Sequence, residues 1–541
     1  MDKLFINGKI YTMEKEGEFF QALGVKDGII SFLGTNEEAK ELESKEIIDL
    51  EGKVMVPGMA DSHMHMYAYC QNQTFVDLSE VKSIEEMITV MTERAKVSAP
   101  GTWIKGVNFD QSKWIENRFP TRHELDRIST EHPVLIRRCC LHAVVVNTKA
   151  LEIAKVGKGY SGGTGGIVET EEDGMPNGIL REQSTKVFDE ILPDPFLDTD
   201  LRKEIFSDVM KDMASKGITT IHTYAAKIWK YNEDVEIYKE FEKQNQLPIR
   251  VTVCIDEIFE PEVLTEEQKK DPNRKVQYGA YKIFSDGSMG SRSAALKEPY
   301  SDDPENLGFV ICSQEELINT VLNSYEKGLQ PAIHAIGDRA LDMTLTAIEE
   351  TLRITREKGM TEEEQKQRLP FRIIHVQMVD EKTIERMKKL PLILDIQPIF
   401  LNTDLHWIED RIGKERAKGS FALKSMADNG LIITGGSDCP VETYDPIKGI
   451  HMAVNRRDFE GYPEEGFYAD EKLSPYEAML MYTKNVHFAT GQEEFLGTLS
   501  KGKFADLAVL DRDIFEIPEE DIKNIKVERT YIAGENTFVL E

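Results

Sequence analysis

Short apolar segments alternate with helical segments through the middle of the chain, and this alternation is the strongest constraint on its fold. Two of the helices begin with capping-box patterns, Ser313-Gln-Glu-Glu316 and Ser474-Pro-Tyr-Glu477. Strands that alternate with helices pair in parallel through crossover connections. Together with a strand that ends at His65, the apolar segments number eight, which predicts an α/β fold of the TIM type, a (β/α)8 barrel. The other seven segments are Ile218–His222, Arg250–Cys254, Tyr281–Phe284, Ala332–Ile336, Arg372–Val376, Leu392–Ile396 and Leu431–Thr434.

The two ends of the chain have a different pattern. Near the N-terminus, Asn7-Gly8 and Asp27-Gly28 each separate two β-prone runs, which predicts two β-hairpins. The C-terminus has similar short apolar runs separated by turn residues. We therefore expect residues 1–55 and 485–541 to pair as one small, discontinuous β domain, beside a barrel that extends over residues 56–484.

The segment from about residue 66 to 215 interrupts the alternation, and we interpret it as an insertion after the first barrel strand. It contains a glycine-rich piece, Ser161–Gly166. These glycines lack the GxxxxGK[ST] and GxGxxG spacings, and no strand and helix flank them as a phosphate-binding loop requires. A flexible loop is therefore expected there rather than a phosphate site.

The charge of the chain argues against whole classes of partner. Its 541 residues include 66 Lys and Arg against 96 Asp and Glu, so the formal net charge is −30. A nucleic-acid-binding protein needs a basic surface to neutralise phosphates, and docking on anionic lipid has the same requirement. We expect a neutral or cationic small-molecule substrate, and neither nucleic acid nor membrane as a partner.

Cysteine usage and the first residues indicate the compartment. The six cysteines include no CxxC pair and no dense framework, which is typical of reduced thiols in the cytosol. The N-terminal MDKLFINGKIYTM has no basic segment followed by an apolar one, so no signal peptide is predicted. The longest apolar runs are far shorter than the ~20 residues of a membrane span. A cytoplasmic location is expected.

The segment PGMADSHMH, residues 57–65, places two histidines two positions apart. Because side chains alternate along a strand, His63 and His65 project from the same face, into the interior of a barrel. Two imidazoles on one face suit a divalent ion such as Zn²⁺. The same spacing also fits two half-buried histidines, so this motif alone does not decide between the two.

Three further residues change that balance. His334, His375 and Asp438 each lie at the end of a predicted parallel strand. Barrel active sites form at the C-terminal ends of the strands, where residues from several strands meet. Four histidines and an aspartate at one end of a barrel are a typical metal-binding set, in which Asp438 can also carry a proton.

Lys282 lies within a predicted buried strand, where an unpaired ammonium group costs free energy. One interpretation is a lysine that snorkels to solvent or forms an ion pair, and the spacing alone favours it. The other is reaction with CO2 to give a carbamate, which is an anionic ligand able to bridge two metal ions.

Several phrases of the sequence resemble the amidohydrolase superfamily, and within it amidohydrolase family 3, the N-substituted formamide deformylase-like branch. PGMADSHMH supplies the paired histidines of the superfamily. The resemblance extends over nearly the whole chain, from the N-terminal β segment to GTLSKGKFADLAVLD at 497–511. The phrases closest to the branch are VNTKAL (146–151), DGMPNGILRE (173–182), KIFSDGSMGSRSAAL (282–296), HAIGDRA (334–340), IIHVQ (373–377) and SDCPVETYDP (437–446).

The resemblance implies a metal-dependent (β/α)8 barrel beside a β-sandwich built from both termini. It assigns His63, His65 and Asp438 to a first metal ion, and His334 and His375 to a second. In relatives with one metal, the first three residues and His334 hold a single ion. Both arrangements stay open at this point.

The resemblance also implies a modification and a cofactor. Lys282 falls on the fourth barrel strand, where relatives with two metals carry a carboxylated lysine, and this context favours carboxylation. The implied cofactor is a divalent metal, as one ion or two, with Zn²⁺ expected first and Mn²⁺, Fe²⁺ or Co²⁺ as alternatives. Relatives often form dimers, so a homodimer is a further expectation.

The implied reaction is hydrolysis of a C–N bond other than a peptide bond, in a small amide such as an N-formyl or N-acyl amine. A bound divalent ion lowers the pKa of water to about 7, and the hydroxide attacks the carbonyl carbon while Asp438 passes the proton to the leaving nitrogen. Glu182 and Arg292 are further candidates for binding the substrate. The alternatives are a deaminase of a nitrogen heterocycle and a degenerate, non-catalytic barrel, although competent residues at every ligand position argue against the latter.

Overall fold

The chain forms two compact units in the computed structural model. The first consists of Met1–Tyr67 and Ser207–Glu541, and the second of Ala68–Phe206. Cys139, Cys140 and the centre of the glycine-rich piece, 163–165, lie outside the described residues. The structure describes residues 1–138, 143–162, 166–189, 191–193, 195–225, 231–257 and 265–540.

Eight parallel strands form a nearly closed barrel in the first unit, which confirms the predicted TIM-type fold. Each strand pairs in parallel with the next one along the chain. All eight predicted segments are strands. Seven of them end within one residue of the predicted C-terminal end, and the second continues three residues further, to Ala225. In chain order, barrel strands 1 to 8 are Met59–Met64, Ile218–Ala225, Arg250–Ile255, Val276–Phe284, Pro331–Ala335, Phe371–His375, Leu392–Ile396 and Ile432–Gly435.

Charged and hydroxyl side chains join the strands of the barrel. Arg372 on barrel strand 6 and Asp395 on barrel strand 7 are fully buried, with Arg372 Nε 2.8 Å from Asp395 Oδ2. Arg372 also donates through Nη2 to the carbonyl oxygen of Ser62 on barrel strand 1. Thr434 Oγ1 on barrel strand 8 lies 2.7 Å from Asp395 Oδ1 and 2.9 Å from Ser62 Oγ. Side chains therefore connect strands 8 and 1, between which the described strands form no main-chain ladder.

Helices alternate with the strands as predicted, and both predicted capping boxes are present, at Ser313 and Ser474. The longest helix, Asp338–Glu357, buries Leu341, Leu345, Ile348 and Leu352, a spacing that places them on one face. Within the described residues, no helix is both long enough and apolar enough to cross a membrane. The longer helices of this unit are Tyr231–Lys243, Gln314–Glu326, Asp338–Glu357, Glu381–Met387, Ile408–Ala417, Leu423–Asp428, Pro446–Asn455, Pro475–Met481 and Lys484–Ala489, and Thr199–Ser215 leads into barrel strand 2.

Strands from both ends of the chain share a sheet. Residues of this sheet and of a second one contribute to one hydrophobic cluster, which includes Phe5, Leu23, Met55, Leu507 and Tyr531. The six-stranded sheet has the order Glu535–Val539, Val527–Ile532, Leu507–Leu510, Val54–Pro57, Lys9–Tyr11 and Phe19–Phe20. The four-stranded sheet has the order Ile29–Gly34, Ala22–Lys26, Lys3–Ile6 and Glu46–Asp49.

The hairpin predicted at Asp27-Gly28 is present. Lys26 pairs with Ile29 across the turn. The φ angles of Asp27 and Gly28 are 52° and 77°, the left-handed values that a two-residue hairpin turn of type I′ requires.

The hairpin predicted at Asn7-Gly8 is wrong. The strands on either side, Lys3–Ile6 and Lys9–Tyr11, belong to different sheets. Asn7, with a φ of 55°, turns the chain from one sheet into the other. A Cβ atom at Gly8 would lie 2.4 Å from Leu50 Cδ1, so packing against Leu50 requires a glycine there. The dipeptide marks a turn, but the core decides which strands pair.

The second unit has a hydrophobic core of its own. Its helix Ile84–Val97 begins at the Ser83 cap and buries Met87 and Met91 in a cluster that also contains Trp114. Much of the segment interpreted as an insertion is therefore folded around a sheet. The sheet has the order Gly166–Thr170, Pro176–Glu182, Ala143–Val146, Val134–Arg138, Ile104–Phe109 and Val76–Asp77.

A buried ion pair connects the barrel to the C-terminal strands. Arg250, at the start of barrel strand 3, lies 2.7 Å (Nε) and 3.0 Å (Nη2) from the carboxylate oxygens of Asp506. Both side chains are 5% exposed. Asp506 also accepts a hydrogen bond from Ala533 N. Removal of one charge would leave the other buried without compensation.

We expect Asp506→Ala to lower the free energy of unfolding by about 3–5 kcal/mol, because it leaves the Arg250 guanidinium buried and unpaired. Urea denaturation followed by circular dichroism measures the change. Glu350→Ala is the control, since it removes an exposed ion pair with Arg353 and should leave the midpoint unchanged. Equal midpoints for Asp506→Ala and the unmodified protein would contradict the expectation.

Candidate metal centre

His63 and His65 lie with Asp438 at the C-terminal end of the barrel. Asp438 Oδ1 is 3.2 Å from His63 Nε2 and 3.1 Å from His65 Nε2, so one carboxylate oxygen lies between two imidazoles. One donor atom from each residue lies within 4.8 Å of the other two. The structure therefore brings together three of the residues that the sequence singles out.

A buried carboxylate positions this group. Asp61 Oδ1 accepts hydrogen bonds from the backbone nitrogens of His63 (2.9 Å) and Ser437 (3.2 Å), and Asp61 Oδ2 accepts one from Ser437 Oγ (2.5 Å). Asp438 N donates to His63 O over 2.7 Å. The loop after barrel strand 8 is thereby held against barrel strand 1. Burial raises the pKa of Asp61 to about 7.

Left-handed backbone occurs at the candidate ligands. The φ angles of His375, Val376 and Asp438 are 78°, 46° and 54°. For residues other than glycine, such φ angles cost conformational free energy. These backbone conformations persist only where the surrounding structure imposes them. At Gly436 a Cβ atom would lie 2.8 Å from His63 N, so the close approach of this loop to strand 1 needs a glycine.

Hydrogen bonds to one ring nitrogen leave the other available in two of the histidines. His65 Nδ1 is 2.9 Å from Tyr224 O, a carbonyl, so it carries the proton and Nε2 keeps its lone pair. His375 Nδ1 is 2.6 Å from Gln397 Oε1, which has the same effect. Metal-binding histidines are typically oriented in this way.

His63 is fully buried, and neither ring nitrogen has a hydrogen-bond partner with acceptable geometry among the described residues. Burial, and next the charge of Lys282, hold the pKa of His63 well below its usual value. The ring is therefore neutral at pH 7. A neutral imidazole with an unsatisfied nitrogen beside a carboxylate fits a divalent cation.

His334 lies beside His375, with 4.5 Å between their ring centroids. His334 Nε2 is 3.1 Å from Gly287 O and 3.3 Å from Asp286 Oδ1, which leaves Nδ1 as the available nitrogen. The His375 ring is in turn 5.5 Å from that of His63. The four imidazoles thus form one continuous group, although the only three-donor group found among the described residues is that of His63, His65 and Asp438.

The ammonium group of Lys282, on barrel strand 4, points toward the four imidazoles. Its Nζ lies 4.9 Å from the ring centroids of both Tyr224 and Phe284. The side chain is buried, and no ion pair or hydrogen bond joins it to another described residue. Burial lowers the pKa of Lys282 to about 8.

The two candidates for substrate binding are placed differently. Arg292 is part-exposed and donates through Nε and Nη2 to the carboxylate of Asp302, at 3.0 and 2.8 Å. Its guanidinium is thus already paired within its own loop. Glu182 ends a strand of the second unit, and its side chain is outside the described part of the structure. Their role in substrate binding stays a prediction.

Sequence reasoning missed the residues that hold the ligands in place. Asp61, Tyr224 and Gln397 each bond to a candidate ligand or its loop, directly or through the backbone. Asp61 is the most accessible of them to prediction, because it is a charged residue two positions before His63 in a buried strand. Gln397 and the carbonyl of Tyr224 carry no such signal, since only the fold brings them to the histidines.

Loss of a residue that hydrogen-bonds to a metal ligand typically lowers metal affinity by roughly 10–100-fold. We expect His63→Ala to lower the affinity for Zn²⁺ by more than this, because it removes a ligand itself. Competition with a chromophoric chelator measures the affinity. His406→Ala is the control, since His406 is half-exposed and pairs with Asp458. Equal affinities of the His63→Ala and His406→Ala proteins would exclude His63 as a ligand.

Comparisons with known proteins agree with this geometry. The chain is 32% identical to the protein YtcJ of Bacillus subtilis (strain 168), over 99% of both chains. It is 26% identical to N-substituted formamide deformylase of Arthrobacter pascens, over 98% of this chain and 97% of that one. The crystal structure of an uncharacterized metal-dependent hydrolase from Pyrococcus horikoshii OT3 superposes with a TM-score of 0.74 at 28% identity, covering 96% of this chain and 99% of that one. Residues 46–538 match the model of the amidohydrolase family, to which this chain belongs.

Proposed function

We propose that this protein is a metal-dependent hydrolase that cleaves a C–N bond, other than a peptide bond, in a small amide. The observation that carries the proposal is the group of His63, His65 and Asp438 at the C-terminal end of the barrel. The names of two relatives support it, one a formamide deformylase and the other a metal-dependent hydrolase. N-formyl and N-acyl amines are therefore the substrates that we propose.

Zn²⁺ is the ion that we propose for this group. Two imidazoles and a carboxylate are the donor types that catalytic zinc uses, with a further position left open. His65 Nε2 keeps its lone pair because Nδ1 donates to Tyr224 O, and His63 is neutral because it is buried. When bound, such an ion polarises a carbonyl oxygen and lowers the pKa of water toward neutrality.

Asp438 is the residue that we assign to proton transfer. Its carboxylate accepts a proton from the attacking water as the water oxygen bonds to the carbonyl carbon. The same proton then passes to the nitrogen as the C–N bond breaks, which releases an amine and a carboxylic acid. The carboxylate of Asp438 is placed for this role at the histidine pair, with Oδ1 3.2 Å from His63 Nε2 and 3.1 Å from His65 Nε2.

We expect Asp438→Asn to lower kcat for an N-alkylformamide by about 10²–10⁴-fold, because the amide cannot accept the proton. The released amine is measured with a fluorogenic amine reagent, and metal content is measured on the same samples. Asp470→Asn, at an exposed position, is the control for the change of charge.

Unchanged turnover in the Asp438→Asn protein would contradict the role of this residue. Release of ammonia without a carboxylate product would indicate the deaminase reaction instead. A protein that binds no metal and hydrolyses none of these amides would be a non-catalytic barrel.

Carboxylation of Lys282 is a further part of the proposal. The pKa of about 8, caused by burial, leaves a fraction of the side chain as the neutral amine at pH 7. The amine nitrogen bonds to the carbon of CO2 and loses a proton, which gives an anionic carbamate. His334 and His375, whose rings are in contact, would hold a second ion together with this carbamate.

Native mass spectrometry in bicarbonate buffer should show the mass of one added CO2 per chain, and Lys282→Met should lack it. Lys275→Met is the matched control, since Lys275 is also partly buried and its pKa is also lowered by burial. If the added mass is absent from the unmodified protein reconstituted with metal, the carbamate is not formed. Its retention in Lys282→Met would place it on another residue.

A further inference from the structure

Loops after barrel strands 7 and 8 bring two carboxylates together beside the candidate metal centre. Asp404 ends the short helix Leu401–Asp404, and Glu442 follows Asp438 by four residues. Thr403 Oγ1 lies 3.3 Å from Asp404 Oδ1 and 2.9 Å from Glu442 Oε1. A hydroxyl has one hydrogen, so it can donate to only one of these carboxylates at a time.

No cationic side chain of the described residues forms an ion pair with either carboxylate. Asp404 is buried, and Glu442 is mostly buried. Burial, and next the negative charge of Glu442, raise the pKa of Asp404 to about 7, while burial raises that of Glu442 to about 6. Two like charges in a poorly hydrated position are costly unless a cation or a shared proton compensates them.

The side-chain amide of Gln377 adds a third oxygen acceptor to the carboxylates of Asp404 and Glu442. Gln377 Nε2 donates to Asp404 Oδ2 over 3.1 Å, which places the side-chain amide at the carboxylates. The oxygen of the same amide, Oε1, has no hydrogen-bond partner among the described residues, and Gln377 is 2% exposed. A buried amide oxygen without a donor is unusual in a folded protein. It indicates that a donor from a ligand belongs there.

The chemistry of this acceptor set selects one kind of ligand. Asp404, Glu442 and Gln377 offer oxygen acceptors, and a bound cation would favour the charged form of both carboxylates. A primary ammonium group has three N–H donors and a positive charge, so it can satisfy one acceptor of each residue. A hard divalent cation takes about six to eight oxygen ligands, so it would need several waters beside these side chains.

The acceptor set lies close to the candidate ligands along the chain. Gln377 follows His375 by two residues, which limits the separation of their backbones to about 7 Å. Phe400, which precedes the helix of Asp404, stacks on the His375 ring with 6.0 Å between centroids. Thr403 is exposed, so a ligand can reach the pair from solvent. A short flexible substrate can therefore extend from one site to the other.

We propose that Asp404, Glu442 and Gln377 bind an ammonium group of the substrate, so that the hydrolase acts on amides of diamines or of other amines that carry a second, cationic nitrogen. This inference rests on the proposed function. It also fits the net charge of −30, which attracts cations at long range.

The test compares three formamides of equal length that differ at one end. N-(4-aminobutyl)formamide carries an ammonium, N-pentylformamide a methyl group, and 5-formamidopentanoate a carboxylate. We expect kcat/KM to be highest for the ammonium compound and lowest for the carboxylate. The preference of ammonium over methyl should be about 10- to 100-fold, the factor of one charge-assisted hydrogen bond.

Glu442→Gln should remove that preference, because the glutamine can still accept from Thr403 but carries no charge. Glu465→Gln, an exposed position with the same change of charge, is the matched control and should keep the preference. Asp404→Asn provides a second variant in case Glu442→Gln is poorly folded. Calorimetric titration with N-(4-aminobutyl)formamide measures binding independently of turnover.

The outcomes separate the two proposals. Binding of the ammonium compound that is lost in Glu442→Gln, without hydrolysis of any formamide, would support this inference and reject the formamide reaction. Hydrolysis of all three compounds at similar rates would support the reaction and overturn this inference. Tight Ca²⁺ or Mg²⁺ binding that Glu442→Gln abolishes would overturn it in favour of a metal site.

Discussion

The carboxylate of Asp61 closes the barrel at the point where the candidate metal centre forms. Barrel strands 8 and 1 share no main-chain ladder in the described strands, so side chains and main-chain bonds of the loop after strand 8 join them. Asp61 accepts from the backbone of His63 on one side and from the backbone and hydroxyl of Ser437 on the other. Asp438, the next residue, is thereby brought within hydrogen-bonding distance of two histidines. The candidate site depends on this connection because His63 and Asp438 are distant in sequence.

Burial then determines the chemistry of the groups that meet there. It holds His63 neutral and leaves part of Lys282 as the free amine, which are the forms that bind a cation or react with CO2. Burial also raises the pKa values of Asp404 and Glu442. Neither carboxylate forms an ion pair with a cationic side chain in the described structure. Removal of charged groups from water thus shapes both the candidate metal centre and the proposed ammonium site.

Much of the architecture could be predicted from the sequence. The eight barrel strands could be predicted because strands buried on both faces have continuous apolar runs. The ends of those runs identified His63 and Asp438 as neighbours. The hairpin at Asn7-Gly8 could not be judged in the same way. A turn signal is local, whereas the parallel partners of Lys3–Ile6 and Lys9–Tyr11, which are Glu46–Asp49 and Val54–Pro57, are distant in sequence.

The sequence by itself determined the fold class, the family and the residue types of the candidate centre, because periodicity and motif spacing are local properties. Only the tertiary structure decided which groups meet. It placed Asp61 across the strand 8–1 boundary, oriented His375 through Gln397, paired Arg292 with Asp302, and left Asp404 and Glu442 facing a single hydroxyl. These contacts join residues that are distant along the chain, and their energies arise only when folding removes water from between them.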